Sequence, residues 1–137
     1  MPNQTARTPA LTHVRVRDCM HQGVLTCSAN DPLQDVAAIM ANHRIHAVVI
    51  TASNADRPIG IVSDLDVVAA VAVDADCSAR EAAATETLSV SADESIRTAA
   101  QLMSEHGVSH LVVVDSAGGY PLGVLSTLDI AAAYADS

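Results

Sequence analysis

The chain has 137 residues, half of them hydrophobic, with two Tyr and no Phe or Trp, so its core must be built from Val, Ile, Leu, Met and Ala. Seven Arg and no Lys stand against sixteen Asp and Glu, a formal net charge of −9. With no basic run to follow a phosphate backbone and no aromatic platform to stack bases, neither nucleic acid nor a membrane surface is an expected partner.

Residues 1–10, "MPNQTARTPA", read as a flexible N-terminal tail. A first unit follows over residues 11–73. In it "GVLTCSA" is a short extended run, and "NDPLQDVAAIMANH" a helix, with Asn30 or Asp31 ahead of Pro32 at the first helical position. Leu33, Val36, Ala37 and Met40 recur at helical spacing, which predicts one buried face. "IHAVVI" and "IGIVS" are strands joined through the turn "TASNADRP", together a hairpin, and "DLDVVAAVAV" closes the unit as a helix.

Residues 74–137 hold a linker and a second unit. The linker, "DADCSAREAAATE", spaces Ser78 and Glu81 as a helix-capping pair. The second unit then repeats the first: "TLSVSA", "DESIRTAAQLMSEHG", "SHLVVV", "DSAGGYP", "LGVLS", "TLDIAAAYA". At an offset of 63, Arg17 falls on Arg80, Ser28 on Ser91, Met40 on Met103, His43 on His106, Pro58 on Pro121, Gly60 on Gly123, Ser63 on Ser126 and Asp66 on Asp129. No gap is needed between about residues 15 and 71, so this is a duplicated unit. Neither copy can cover its own sheet. The expected fold is α/β (α+β), with two β-α-β-β-α repeats packed sheet to sheet about a pseudo-twofold axis and equivalent clefts between them.

Cys19, Cys27 and Cys77 form no Cys-x-x-Cys pair, and the chain shows neither an apolar signal segment nor a run long enough to span a bilayer. Reduced thiols in a cytoplasmic protein are expected.

The strings "DCMHQGVLTC", "PLQDVAAIMANHRIHAVVI" and "GIVSDLDV", and again "ESIRTAAQLMSEHGVSHLVVVD" and "GVLSTLDI", resemble the cystathionine-β-synthase (CBS) domain family. The match runs from about residue 12 to 135, in the tandem arrangement called a Bateman module. The resemblance implies a regulatory or sensor module for adenosine-containing ligands, of the AMP, ADP, ATP, NAD or S-adenosylmethionine type. It also implies a homodimer and an altered activity in a separate protein partner, since no effector domain is fused within these residues.

Ser63 with Asp66, and Ser126 with Asp129, are by local geometry helix caps, a pattern also met at Ser28, Ser53, Ser78 and Ser91. Their context differs. Each follows Gly and two aliphatics, where a strand ends and a helix N-terminus with free N–H groups favours a phosphate. Gly60 and Gly123 admit close approach of a ligand or another backbone. A carboxylate one turn into the helix accepts hydrogen bonds from a ribose cis-diol. In the family these positions bind ribose and phosphate, which makes Ser63, Asp66, Ser126 and Asp129 the ligand-binding candidates. Arg44, His46 and His110 lie at the helix-to-strand turn where similar modules place phosphate contacts, and Arg97 is a further candidate; Ala47 stands where the second copy has His110. For adenine the resemblance suggests Val24, Thr26 and Ile45 in one cleft and Thr87, Ser89 and Val108 in the other.

The alternative is a ligand-free dimerisation or partner-binding module, in which the motifs only cap helices. A metal site at His43 and His46, or His106 and His110, lacks a completing Cys or carboxylate. No obligatory cofactor and no catalytic residue are expected. Asp66, Asp129 and Cys27 have neither a nucleophile elbow nor a phosphate-cradling loop with Lys around them.

Overall fold

The computed structural model describes residues 11–52, 57–83 and 88–137. In the first copy β2 (Thr26–Ser28), α1 (Leu33–His43), β3 (Ala47–Thr51), β4 (Pro58–Ser63) and α2 (Asp64–Ala72) follow one another. The second copy repeats them as β5 (Ser89–Ser91), α4 (Ile96–His106), β6 (His110–Val114), β7 (Pro121–Ser126) and α5 (Thr127–Ala135). Among the described residues three pieces lie outside this pattern: the single 3-10 turn Val16–Asp18, β1 (His21–Gln22), and the one-turn helix α3 (Ala79–Ala82) in the linker. In both copies the first strand runs parallel to the second, which pairs antiparallel with the third. The predicted β-α-β-β-α order is present twice.

Helix starts differ from one pair to the next. Pro32 occupies the N-cap of α1 rather than its first turn, and no side chain caps that helix. Asp31 turns away and accepts the Ser28 N–H at 2.9 Å, so its carboxylate closes the preceding turn. The matching α4 has a true cap, the Ser95 hydroxyl, which accepts the Thr98 N–H at 3.1 Å. Of the Ser-x-x-acid patterns, Ser63, Ser78 and Ser126 form reciprocal capping boxes. Ser28 and Ser91 do not, because both sit at strand ends with no helix starting after them. Ser53 lies outside the described residues.

Each copy has its own core. Leu33, Val36 and Met40 of α1 meet Val48, Ile50 and Val62, while Ile96, Ala99 and Met103 of α4 meet Leu111, Val113 and Leu125. Period-two alternation turns Ala47, Val49 and Val112 to the opposite sheet face, where they are buried outside both clusters. That is the face where the sheets join, with β4 against β6.

The connecting segments are exchanged. Val16, ahead of the first copy, is fully buried in the second core, and its N–H donates to the Glu94 carbonyl at 2.8 Å. Ala79, ahead of the second copy, is fully buried in the first core, and its N–H donates to the Asp31 carbonyl at 2.8 Å. β1 accordingly joins the second copy's sheet, antiparallel to β7, with His21 opposite Val124 and Gln22 opposite Gly123. A Cβ on Gly123 would lie 2.1 Å from the His21 carbonyl oxygen, so the close approach expected at this glycine is that of β1's backbone.

Candidate functional site

Both Ser-x-x-Asp motifs stand at the junction of a strand and a helix. The Ser63 and Ser126 N–H groups donate to Oδ2 of Asp66 and Asp129, each at 2.8 Å. The hydroxyls accept the N–H of those aspartates at 3.3 and 3.2 Å. In both carboxylates these bonds fall on Oδ2, which leaves Oδ1 to a further donor.

A cleft of about 500 Å³ opens between the copies. Its wall is the run from His21 to Leu25, the α1–β3 turn from His43 to Ala47, and His110, Val124 and Ser126 of the second copy. Fold topology explains the assembly. β1 crosses to β7, α1 ends where β3 begins, and the sheet junction brings β6 beside them. The structure therefore unites Ser126 with Arg44, His46, His110, Val24 and Ile45.

Sequence reasoning missed the partner of Asp129. The His21 Nδ1 lies 3.2 Å from Asp129 Oδ2, and the imidazole donates to a carboxylate only 10% exposed. The position matching His21 in the second copy is Ala84, so the two motifs are not equivalent. His43, at the end of α1, also stands on the cleft wall. Among the described residues no cluster of three or more His, Cys, Asp or Glu is arranged to hold a metal ion.

His46 donates through Nδ1 to Asp64 Oδ2 at 2.8 Å, and this bond holds the Asp64 carboxyl below its ordinary value. His110 is the convergence point of the two motifs. Burial pushes its imidazole below the ordinary value, the nearby His46 acts in the same sense, and Asp64, Asp129 and Asp66 pull the other way. Arg44 caps α1 in the left-handed conformation, φ 54° and ψ 48°, where the second copy has Gly107 at φ 64°. An arginine is thus kept at a backbone position that favours glycine, on the cleft wall.

A smaller cavity of about 240 Å³, lined by Val24, Thr26, Thr51, Tyr120 and Pro121, shares Val24 with the cleft. Other sequence candidates lie elsewhere. Arg97 is exposed at the start of α4 and lines neither cavity. Ser89 sits in β5 opposite Val112, and Val108 packs on the second core, so neither reaches these cavities. Thr87 lies outside the described residues. Ser63 and Asp66 cap α2 away from the walls of the 500 Å³ cleft, and Asp129 does not line it either but bonds His21, which does. Cys27 is buried, and desolvation pushes its thiol up to about 11, so it is not a thiolate at neutral pH.

Two β-α-β-β-α repeats joined at their sheets, with exchanged connecting segments and a cleft between them, define a tandem-repeat α/β module. The chain belongs to the CBS domain family, whose model matches residues 16–73 and again residues 79–136. It is 29% identical over 103 residues to the CBS domain-containing protein YhcV of Bacillus subtilis, covering 73% of this chain and 72% of that one. It spans 23% and 25% of two homoserine O-acetyltransferases that it also matches. Among solved structures, a CBS domain protein of Pyrobaculum aerophilum complexed with AMP superposes with a TM-score of 0.78 at 27% identity, over 90% of this chain and all of that one. The CBS domain pair of protein MJ0100, in complex with 5-methylthioadenosine and S-adenosyl-L-methionine, superposes at 0.80 with 22% identity, over 90% and 97% of the two chains. Among the described residues no helix is long and apolar enough to cross a membrane.

Proposed function

We propose that this chain is a regulatory sensor module that takes an adenosine-containing ligand in the cleft between its copies. The observation that carries this reading is the meeting of Ser126 and the Arg44-bearing α1–β3 turn on one cleft wall. Phosphate meets the N-terminus of α5, Arg44 and His46. The ribose hydroxyls donate to Asp129, in competition with His21, and adenine lies toward Val24, Thr26 and Ile45. An adenine nucleotide, NAD or S-adenosylmethionine satisfies this arrangement. The AMP complex of the Pyrobaculum aerophilum protein supports that ligand class.

Binding acts on a cytoplasmic protein partner rather than on a substrate. The ligand that displaces His21 from Asp129 loosens β1, and through it the segment anchored by Val16 in the second core. Occupancy thereby shifts the module between two states. Duplicated carboxylates engaged in caps, with a protonated and buried Cys27, suit binding rather than catalysis. The module pairs as a homodimer through exposed apolar stripes on α2 and α5.

Thermal shifts with AMP, ADP, ATP, NAD and S-adenosylmethionine test this. Stabilisation by one of them, lost in Asp129→Ala, supports the reading. A flat response from folded protein favours the ligand-free dimerisation module instead.

A further inference from the structure

The cavity of about 240 Å³ beside the main cleft has one aromatic wall, Tyr120, in a chain with only two tyrosines and neither Phe nor Trp. The turn before it is built to hold that ring. The Asp115 N–H donates to the Tyr120 carbonyl and the Gly119 N–H to the Asp115 carbonyl, both at 2.8 Å, with Gly119 at φ +72°. A Cβ on Gly118 would lie 2.7 Å from Tyr120 Cε2, so the ring rests against glycine backbone that any other residue would push it off. Tyr120 stays 58% exposed, with Val24, Thr26, Thr51 and Pro121 forming the rest of the cavity. Val24 belongs to both cavities, so the smaller one adjoins the cleft proposed for the phosphate and ribose.

We infer that Tyr120 is the base-recognition residue of this site, its ring stacking on the purine while the Thr26 and Thr51 hydroxyls face the base's polar edge. This inference rests on the reading of the cleft as an adenosine site and adds a residue to it. Stacking of a base on an aromatic ring is sequence-tolerant and accounts for about a tenfold or larger change in affinity.

The chain lacks Trp, so in Tyr134→Phe protein the intrinsic emission comes from Tyr120 alone. AMP, ATP, NAD and S-adenosylmethionine are titrated against that variant, and affinities are compared for wild type, Tyr120→Phe and Tyr120→Ala. The expected result is quenched emission on binding, affinity within twofold of wild type in Tyr120→Phe, and at least a tenfold loss in Tyr120→Ala. A ligand that binds wild type and Tyr120→Ala equally, without quenching, overturns the stacking role and leaves the adenosine site intact. Wild-type protein that binds none of the four overturns both.

Discussion

Arg44 separates structural from functional demand at a single position. A left-handed backbone costs a non-glycine residue about 1–2 kcal/mol, and glycine's extra unfolded-state entropy offsets about 0.5–1 kcal/mol of any relief. Arg44→Gly, which copies Gly107, should therefore raise stability by about 0.5–1 kcal/mol in urea denaturation. The same change should weaken a phosphate-bearing ligand about tenfold or more, since a charge-assisted bond is lost. A variant both more stable and equally tight would leave the arginine without a role. His110 gives the pH dependence. Burial lowers its folded pKa below the ordinary 6.5, so below that pH the unfolded chain binds a proton that the folded chain resists. Stability should fall as pH drops from 7.5 to 5.5, and His110→Gln should flatten that decline; parallel curves for the two proteins would assign it to other groups. At this scale the sequence was legible where partners are local. The Ser63, Ser78 and Ser126 boxes close over three residues. The His21–Asp129 bond joins residues 108 positions apart and depends on where β1 crosses, which no local pattern records.

The exchanged segments set what each glycine tolerates. Gly123→Ala drives a methyl into the His21 carbonyl, which is backbone held in a ladder, so a loss of about 1–3 kcal/mol or more is expected. At the matching Gly60 the nearest described atom is the Ile50 Cδ1 at 3.0 Å, the far end of a side chain that can shift. Gly60→Ala should cost less than about 1 kcal/mol, and equal losses in chemical denaturation would contradict the distinction. The long helices and paired strands were readable because amphipathic spacing and duplication reinforced each other. β1 was not readable, since two residues carry no periodicity and their pairing is decided by Val16 docking on the other copy's core. The start of α1 was misplaced by a residue because Asp31 bonds backward to Ser28, an option its side chain offers as readily as capping.

For the whole molecule, duplication explains the architecture and its broken symmetry explains the site. Leu65, Val68 and Val71 on α2, and Leu128 and Tyr134 on α5, are each more than half exposed at spacings of three or six residues. Such matched stripes on a charged surface fit a second copy of the chain. Leu65→Glu with Leu128→Glu should convert a dimer to a monomer in sedimentation analysis without unfolding it; an unchanged mass would remove these helices from the interface. The cleft itself was only half legible. Its residue types were readable copy by copy, but the union of second-copy Ser126 with the first-copy turn depends on how the sheets meet. The most direct measurement is the ligand-dependent rise in melting temperature of wild type, Asp129→Ala and Asp66→Ala with the five adenosine ligands. Both variants lose a capping box, about 1 kcal/mol of stability each, and Asp129→Ala, which also loses the His21 bond, should melt the lower of the two. The sensor reading predicts that one ligand stabilises wild type and that Asp129→Ala abolishes the rise. A ligand that stabilises Asp129→Ala as strongly as wild type, or no stabilisation of wild type by any of the five, would contradict it.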